Sequence, residues 1–265
     1  MPNYTCQVYP GASLLAGSIK ELFDDPVQGQ PSNCCFIAAL SAVAWTMGKN
    51  KIRIRDNQKA SKEDPAAYTV WINNQEVNVS GKLSLDFNYP PFYYKCARSR
   101  TLSEIWPGLY EKAYAIAYHQ ASADSCDFTG IQWDGNPNNA LQNLSGCPYR
   151  QKSANLSTEI ISRCVDGKIK YPAVAWNQNH CYTVLGQRSS DGKIILRDPS
   201  LQNIPPNTEQ IGSWTITNHF LWDCTINSRV ATMLTLSVNL GNGLFAMRTG
   251  DVDTYFTNVT YAGPQ

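Results

Sequence analysis

The spacing of apolar residues predicts two long helices in the first half of the chain. Phe36, Leu40 and Val43 recur at helical intervals among several alanines, which predicts one helix over this stretch. Ser32 or Asn33 is expected to cap its N-terminus. A second stripe predicts a helix over 102–121, with the members Leu102, Ile105, Leu109, Ala113, Ile116 and Ala117.

Alternation of apolar and polar residues predicts strands elsewhere. Strands at 68–72 and 76–79 are separated by Asn73-Asn74, a hairpin signal. A short helix is expected at 140–144 before Ser145-Gly146. Further strands are predicted at 173–176, 181–185, 193–197, 213–216, 229–238 and 244–247. Helical segments followed by strands indicate an α+β fold with an α-rich lobe at 1–150, a β-rich lobe at 151–265 and a site between them.

Composition limits the kinds of partner. The chain has 265 residues and a net charge of +1, so it can bury a sizeable core and is nearly neutral. Its basic cluster, Lys49–Arg55, has no interleaved aromatic residues, so a solvated face is favoured over a nucleic-acid site. No run approaches the ~18 apolar residues of a membrane span. We expect a soluble monomer that binds neither nucleic acid nor membrane.

Cysteine usage favours a secreted protein. The chain contains nine cysteines, many for a cytosolic enzyme, and the odd number allows one thiol to stay free while the others pair. Sequons for N-glycosylation also occur, at Asn3, Asn78, Asn143, Asn155 and Asn258. The alternative is a cytosolic chain with reduced thiols, in which the sequons arise by chance.

The segment from Gln28 to Leu40 sets a thiol at the start of the first predicted helix. Unpaired backbone N–H groups and the helix dipole favour the thiolate of a cysteine there, so Cys34 is a candidate nucleophile. The side-chain amide of Gln28, together with the backbone N–H of Cys34, would form an oxyanion hole. Taken alone, Cys34 is equally well explained as a buried or disulfide-bonded structural cysteine.

The second half supplies a candidate base and a group to orient it. The chain has three histidines, and neither His119, on a helix face, nor His219, in a predicted turn or short helix, has an acid or amide in a matching frame. His180 begins a predicted strand, and Asp198 ends the next one. In a hairpin centred on Ser190 the two are diagonal neighbours on one face. Taken singly, they are a structural histidine and a turn-forming Asp-Pro; together with Cys34, they form a testable triad.

Several blocks of the chain resemble calpain-type, papain-like cysteine proteases. The family's Gln-Gly-x-x-x-Asp-Cys-Trp-Phe-Leu-Ala-Ala resembles 28–39, and its Leu-x-Glu-Lys-Ala-Tyr-Ala is matched at 109–115. Its Leu-x-x-Leu-Thr-Gly resembles 141–146, its Gly-His-Ala-Tyr-Ser-Val-x-Gly resembles 179–186, and its Arg-Asn-Pro-Trp-Gly resembles the block that starts at Arg197. The resemblance spans about residues 20–235 in order.

The resemblance implies a papain-like fold of two lobes and a role for each matched residue. It implies Cys34 as nucleophile, His180 as base, Gln28 in the oxyanion hole and Asp198 in place of the orienting Asn. The chain departs from the family pattern at four positions, where Asn33 replaces Asp, Cys35 replaces Trp, Ser200 replaces the Trp that shields the His–Asn contact, and Asp198 replaces the Asn itself. Cys35 and Cys181, beside the proposed catalytic residues, are expected to be small core residues, with a disulfide or redox-sensitive thiols as alternatives.

Calcium is the cofactor that the resemblance to calpains suggests. Asp25 matches an acidic calcium ligand of the calpain core, but Ser122 stands where a partner Glu is expected. Losing a carboxylate weakens a site for a hard cation. We therefore expect that no cofactor is required and treat Asp25 as a possible ligand only.

These observations support one leading function and two alternatives. The leading hypothesis is a calpain-like cysteine endopeptidase that cleaves protein or peptide substrates through a thioester. A transglutaminase-like acyl transferase or deamidase is the first alternative, because such enzymes also use a Cys-His-Asp triad. The second is an inactive protease-like domain that binds peptides or acts as an effector, which the missing Trp residues motivate.

Overall fold

The computed structural model describes residues 5–8, 11, 13–14, 23, 25–86, 93–100, 104–211, 213–222, 229–237 and 243–263. The helices are α1 (Cys34–Met47), α2 (Trp106–His119), α3 (Asn138–Ser145), α4 (Leu156–Ile161) and α5 (Thr249–Tyr255), with a 3₁₀ turn at Gly48–Asn50. The strands of the first half are β1 (Thr5–Val8), β2 (Pro26–Val27), β3 (Ile54–Asp56), β4 (Tyr68–Ile72), β5 (Gln75–Val79), β6 (Lys82–Asp86), β7 (Tyr93–Tyr94) and β8 (Arg98–Ser99). The remaining strands are β9 (Tyr149–Lys152), β10 (Cys164–Val165), β11 (Lys168–Ile169), β12 (Ala173–Trp176), β13 (Cys181–Gln187), β14 (Ile194–Arg197), β15 (Glu209–Gln210), β16 (Ser213–Trp222), β17 (Arg229–Ser237), β18 (Leu244–Met247) and β19 (Asn258–Ala262).

The fold mixes helices and sheets and is rich in strands. Its contacts divide the chain into two units, one formed by 1–33 and 52–133 and the other by 34–51 and 134–265. These bounds differ from the predicted lobes, 1–150 and 151–265, because α1 packs on α3, β12 and β13 and so groups with the second unit. The described part of the first unit contains α2 and short strands, and the division into an α-rich and a β-rich lobe stays a prediction.

The first unit is built around α2. This helix packs against β4, β5 and β8. It was predicted over 102–121 but begins at Trp106, with Pro107 in its first turn, where the missing N–H of proline costs no helical hydrogen bond. Gln120 ends it in the left-handed conformation with φ 58°. A disulfide between Cys6 and Cys126 joins β1 to the segment after α2.

The second unit contains a large antiparallel sheet. Its described strands lie in the order β15-β18-β14-β13-β12-β19-β9, and β10 and β11 attach beside β13. The predicted strands at 173–176 and 244–247 are confirmed with the same bounds. His219 lies in β16, opposite Thr232 of β17, so the predicted turn or short helix is wrong at that position. Among the described residues, no helix combines the length and apolar character needed to cross a membrane.

Disulfide pairing is less complete than the odd cysteine count suggested. Cys6–Cys126 and Cys35–Cys181 are bonded, whereas four described cysteines are free: Cys34, Cys96, Cys147 and Cys164. Cys224 lies outside the described residues. Two disulfides are consistent with an oxidising, extracellular compartment.

Candidate active site

The first helix sets the position of Cys34. Every residue of α1 after Cys34 is buried, as expected for a helix that is apolar on all sides. Thr183 of β13 donates its hydroxyl hydrogen bond to the backbone oxygen of Ala38 at 2.9 Å. Trp45 donates its indole N–H to the backbone oxygen of Leu185 at 2.8 Å. These two bonds fix α1 along β13 and leave Cys34, partly exposed, at the helix N-terminus.

A tight turn before β13 sets the position of His180. The side-chain oxygen of Asn177 accepts hydrogen bonds from the backbone N–H groups of Asn179, at 3.0 Å, and His180, at 3.1 Å. Asn177 also donates its own backbone N–H to the carbonyl oxygen of His180 at 3.1 Å. An Asx turn of this kind satisfies loop backbone groups and fixes the direction in which the chain enters the strand.

The β13–β14 hairpin brings Asp198 to His180. Thr183 pairs with Arg197, as expected for a hairpin centred on Ser190, although a bulge near Gly186 shifts the register further along. The Nε2 atom of His180 lies 2.7 Å from Oδ1 of Asp198, and the Asp198 carboxylate is fully buried. The imidazole also interacts with Cys34 by a side-chain hydrogen bond and by charge. Because Nε2 of His180 contacts Asp198, Nδ1 is the ring nitrogen available to the Cys34 thiol.

The Asp198 carboxylate is surrounded by hydrogen-bond donors. Ser200 donates its backbone N–H at 3.0 Å and its hydroxyl at 2.9 Å to Oδ1, and Asn203 donates its backbone N–H to Oδ2 at 2.6 Å. Burial by itself raises the pKa of this carboxyl group, but the bonds from His180, Asn203 and Ser200 outweigh burial and hold the pKa below its ordinary value. Asp198 is therefore a carboxylate that accepts, and never donates, in this site.

A close approach of the backbone supports the same carboxylate. The Asp198 N–H donates to the carbonyl oxygen of Gly243 at 2.9 Å. A Cβ atom at Gly243 would lie 2.4 Å from the backbone oxygen of Asp198, and the residue has a φ of +74°, in the left-handed region that favours glycine. Glycine is thus the residue that allows this contact.

His180 is protonated over a wide pH range. Burial alone lowers the pKa of His180, but its hydrogen bonds to Asp198 and Cys34 overcome that effect and raise the pKa to about 9. Because this value exceeds the ~6.5 of an unfolded histidine, the charged pair contributes stability that is complete below about pH 6.5. That contribution is lost as the pH rises through about 9. At neutral pH the arrangement therefore holds an imidazolium beside the Cys34 sulfur.

An aromatic ring covers the imidazole. The ring of Tyr182 meets that of His180 edge to face, with 4.8 Å between centroids and an 87° angle between planes. The Tyr182 hydroxyl donates to the backbone oxygen of Asn203 at 2.8 Å. Tyr182 thus packs against His180 in a chain where Ser200 stands in place of the shielding Trp.

Gln28 and Asn33 belong to the first unit. One amide N–H of Gln28 donates to the backbone oxygen of Pro31 at 2.9 Å, and the role of Gln28 in an oxyanion hole stays a prediction. Asn33 donates its side-chain amide to Glu111 at 2.5 Å, while its side-chain oxygen is buried and has no hydrogen-bond partner in the described part of the chain. The prediction that Asn33 caps α1 through its side chain is therefore wrong, because the buried Glu111 carboxylate holds the amide instead.

Asp25 is buried in the first unit and accepts a hydrogen bond from the Trp106 indole at 3.0 Å. This contact accounts for the burial of its carboxylate, and its role as a calcium ligand stays a prediction. His119 packs against the rings of Tyr114 and Trp133, and its Nε2 atom has no hydrogen-bond partner among the described residues. Of the three histidines, His180 is thus the one whose ring contacts a carboxylate within the described side chains.

A disulfide lies directly beside this site. Cys35, which follows Cys34, is bonded to Cys181, which follows His180. The two residues are buried, as expected for core positions, but they are not the free small residues that the sequence favoured. The sulfur atoms of Cys34, Cys35 and Cys181 all lie within 4.8 Å of one another.

The supporting contacts of Ser200, Asn203 and Tyr182 were missed by sequence reasoning. The Asp-Pro-Ser order at 198–200 carried a usable signal, because Asp frequently accepts from the N–H two residues later in an Asx turn. The position of Tyr182, two residues after His180 along an extended segment, also indicated that the two side chains share a face. The contact from Asn203 depends on the path of a loop, which no local pattern specified.

Chemically, the site combines a thiol, an imidazole and a carboxylate in a relay. Such an arrangement lets a histidine take the proton of a thiol and return it to a leaving group, while the acid fixes the ring orientation. Acyl transfer through a thioester is the reaction class that it suits.

Comparison with known proteins agrees with this chemistry. No protein-family model matches the chain. The chain is 27% identical, over an alignment of 300 positions, to a protein named Thiol protease from Porphyromonas gingivalis. The alignment covers 98% of the chain and 59% of that protein, so the chain spans about three fifths of the relative's length. The chain is thus similar to a thiol protease, which favours an enzyme of the cysteine-protease class without singling out the calpain type.

Proposed function

We propose that this protein is a calpain-like cysteine endopeptidase that hydrolyses peptide bonds with Cys34, His180 and Asp198. One observation carries the proposal: His180 interacts with the Cys34 sulfur while its Nε2 atom contacts the buried Asp198 carboxylate at 2.7 Å. The similarity to a protein named Thiol protease supports the same chemistry. We extend the proposal to a papain-like arrangement of two lobes and to a secreted monomer acting on protein or peptide substrates.

The first half of the reaction forms a thioester. The Cys34 thiolate attacks the carbonyl carbon of the peptide, and the His180 imidazolium gives its proton to the departing amine. Backbone N–H groups in the first turn of α1 stabilise the thiolate. Gln28 and the Cys34 N–H would bind the oxyanion.

The second half of the reaction hydrolyses that thioester. Neutral His180 takes a proton from water, the resulting hydroxide attacks the acyl carbon, and Cys34 leaves as a thiolate. Asp198 keeps the ring oriented throughout and stabilises the imidazolium. The steps use only this chain's groups and water; no calcium site is part of the proposal.

A cavity next to His180 has the properties of a site for a substrate side chain. Its volume is about 300 Å³, and it is lined by Asn179, His180, Tyr182, Asn203, Ile204, Pro205, Pro206 and Tyr255. Ile204 and the two prolines give it an apolar wall, whereas the Tyr255 hydroxyl is polar. The lining is thus mixed, because Asn179, His180 and Asn203 are polar as well. The cavity would hold a peptide side chain that combines apolar surface with a polar group near the scissile bond.

Asp198 also keeps a second candidate function open. A Cys-His-Asp triad can pass its acyl group to an amine or to water after attack on a glutamine amide, which gives cross-linking or deamidation. The active-site acid is an observed departure from the Asn of the protease pattern. The inactive-domain alternative, which the missing Trp residues motivate, predicts no cleavage in the product analysis.

Product analysis separates these functions. The protein is incubated with a denatured, glutamine-containing protein substrate and a primary amine, and the products are analysed by mass spectrometry. We expect cleaved peptides with new termini, and no activity after the free thiols are alkylated with iodoacetamide. Amine adducts or deamidated glutamines on an uncleaved backbone would overturn the endopeptidase proposal in favour of acyl transfer.

The pH dependence tests the acid role of His180. We expect kcat/KM for a peptide amide to fall as the pH rises through about 9, because the imidazolium that protonates the leaving amine is lost there. Alkylation of Cys34 by iodoacetamide needs a thiolate but no proton donor, so its rate is expected not to fall over the same range. If both rates fall together near that pH, His180 does not act as the acid.

A further inference from the structure

We propose that Cys34, Cys35 and Cys181 form a thiol–disulfide exchange site in which Cys34 replaces Cys35 as the partner of Cys181 and so masks its own thiol. The inference rests on the proposed function only in taking Cys34 as a reactive thiol. The triad chemistry has no use for the Cys35–Cys181 bond. That bond nevertheless joins the residue after Cys34 to the residue after His180.

The geometry places a free thiol next to a disulfide. The three sulfur atoms lie within 4.8 Å of one another, and Cys34 is the free, partly exposed member of the group. Exchange begins when a thiolate attacks one sulfur of a disulfide. The thiolate that the proposed function assigns to Cys34 would be the attacking group.

Backbone geometry selects the sulfur that is attacked. Attack on Cys35 would bridge two adjacent residues, whose Cα atoms lie about 3.8 Å apart across a trans peptide, below the usual ~4.4–6.8 Å for a disulfide. Both residues also belong to the first turn of α1, which would have to unwind. Attack on Cys181 joins Cys34 to a separate strand, β13, and needs only side-chain rotation together with small local shifts.

The exchange is balanced without any other reactant. The Cys34 thiolate attacks the sulfur of Cys181, a Cys34–Cys181 bond forms, and the Cys35–Cys181 bond breaks. Cys35 leaves with the electron pair as a thiolate. It lies in the first turn of α1, where backbone N–H groups stabilise negative charge, and the His180 imidazolium remains as the counter-charge. The product is an isomer with the same redox state, in which Cys35 is free and the Cys34 sulfur is no longer available for attack on a peptide.

Such an isomer would be reactivated by small dithiols. A dithiol reduces the Cys34–Cys181 bond, becomes a cyclic disulfide and leaves free thiols at all three positions. The site therefore couples peptidase activity to the reducing power of the surroundings. The parent form, with Cys35–Cys181 bonded, has its nucleophile free already.

Disulfide mapping of the unmodified chain tests the exchange directly. The protein is prepared without reductant, held at mildly alkaline pH, quenched with acid and labelled at its free thiols before digestion. Fragmentation between the adjacent residues 34 and 35 then locates the label. We expect two linked species, Cys35–Cys181 with the label on Cys34 and Cys34–Cys181 with the label on Cys35. Finding only the first species at every time, or bonds between chains instead, would overturn the proposal.

Three single variants provide matched controls. Cys35→Ser, treated with a small-molecule disulfide that is reduced to two thiols in the process, is expected to form Cys34–Cys181 and to be inactive until a dithiol is added. Cys181→Ser is expected to be indifferent to dithiol, whereas the wild type gains at least about twofold if its isomers are of comparable stability. Cys34→Ser should show only Cys35–Cys181. Full activity of Cys35→Ser without dithiol would contradict the exchange, and the mapping of wild type stays decisive if a variant fails to fold.

The two proposals fail in different ways. Exchange products in a protein that never cleaves peptides, even when fully reduced, would support the exchange site and overturn the endopeptidase. Peptide cleavage with no Cys34–Cys181 product would overturn the exchange site and leave the endopeptidase standing.

Discussion

Replacing Cys34 with alanine is expected to lower kcat/KM for a peptide amide by at least about 10,000-fold, because the thiol that interacts with His180 is lost while the Cys35 and Cys181 sulfurs are buried. Cys34→Ser should be nearly as inactive, since a hydroxyl is far less ionised than a thiol beside the same imidazolium. The measurement is initial-rate kinetics on a fluorogenic peptide under reducing conditions. Reduction keeps all three sulfurs near the site free and removes any masked isomer from the comparison.

A second free cysteine provides the matched control for this variant. Cys147 is also free and partly exposed, and it lies in the same unit. Cys147→Ala should therefore keep wild-type kinetics. Because Cys34 is partly exposed, its removal should also leave the melting temperature nearly unchanged. Cleavage by Cys34→Ala above about one tenth of the wild-type rate would assign the nucleophile to another residue.

Local patterns predicted the elements that carry the candidate site. The helix after Asn33, the strands at 173–176 and 244–247, and the Thr183–Arg197 pairing all follow from short-range signals of spacing, composition and turn residues. Such signals suffice here because His180 and Asp198 lie on neighbouring strands of a single hairpin. Their separation depends on the register of that hairpin, which the turn and the bulge near Gly186 set together.

Features that depend on contacts between distant parts of the chain were not predicted from local patterns. β19, near the C-terminus, inserts between β12 and β9, and no local pattern states which distant strand will be its neighbour. The grouping of α1 with the second unit likewise depends on packing, including the bonds from Thr183 and Trp45. The Cys35–Cys181 bond follows from that packing, since it needs α1 and β13 side by side.

Replacing Asp198 is expected to have the second largest effect, about 100- to 10,000-fold on kcat/KM for Asp198→Ala. Asp198 is a positioning residue, because it acts through the His180 ring and touches no reacting atom. Burial lowers the pKa of His180, and without Asp198 only Cys34 opposes that lowering. The alkaline limb of the pH profile of kcat/KM should therefore move down from about 9. A purely structural role for Asp198 would lower activity without moving that limb.

Asp198→Asn is expected to lose activity as well, by about 10- to 100-fold, although it restores the residue of the protease pattern. In the wild type Oδ1 accepts from His180 and Ser200, and Oδ2 accepts from Asn203. Asparagine has one oxygen and one NH₂ group, so in either orientation the NH₂ group faces a donor. A buried clash of this kind costs about 1–3 kcal/mol, either as lost stability or as displacement of His180.

Ser200→Ala provides the control, because it leaves the contacts of Asp198 with His180 and Asn203 in place. Its kcat/KM should fall by less than about threefold. Wild-type kinetics and an unshifted alkaline limb in Asp198→Asn would mean that the charge of Asp198 is not what orients the imidazole, and that an amide serves equally well among these donors.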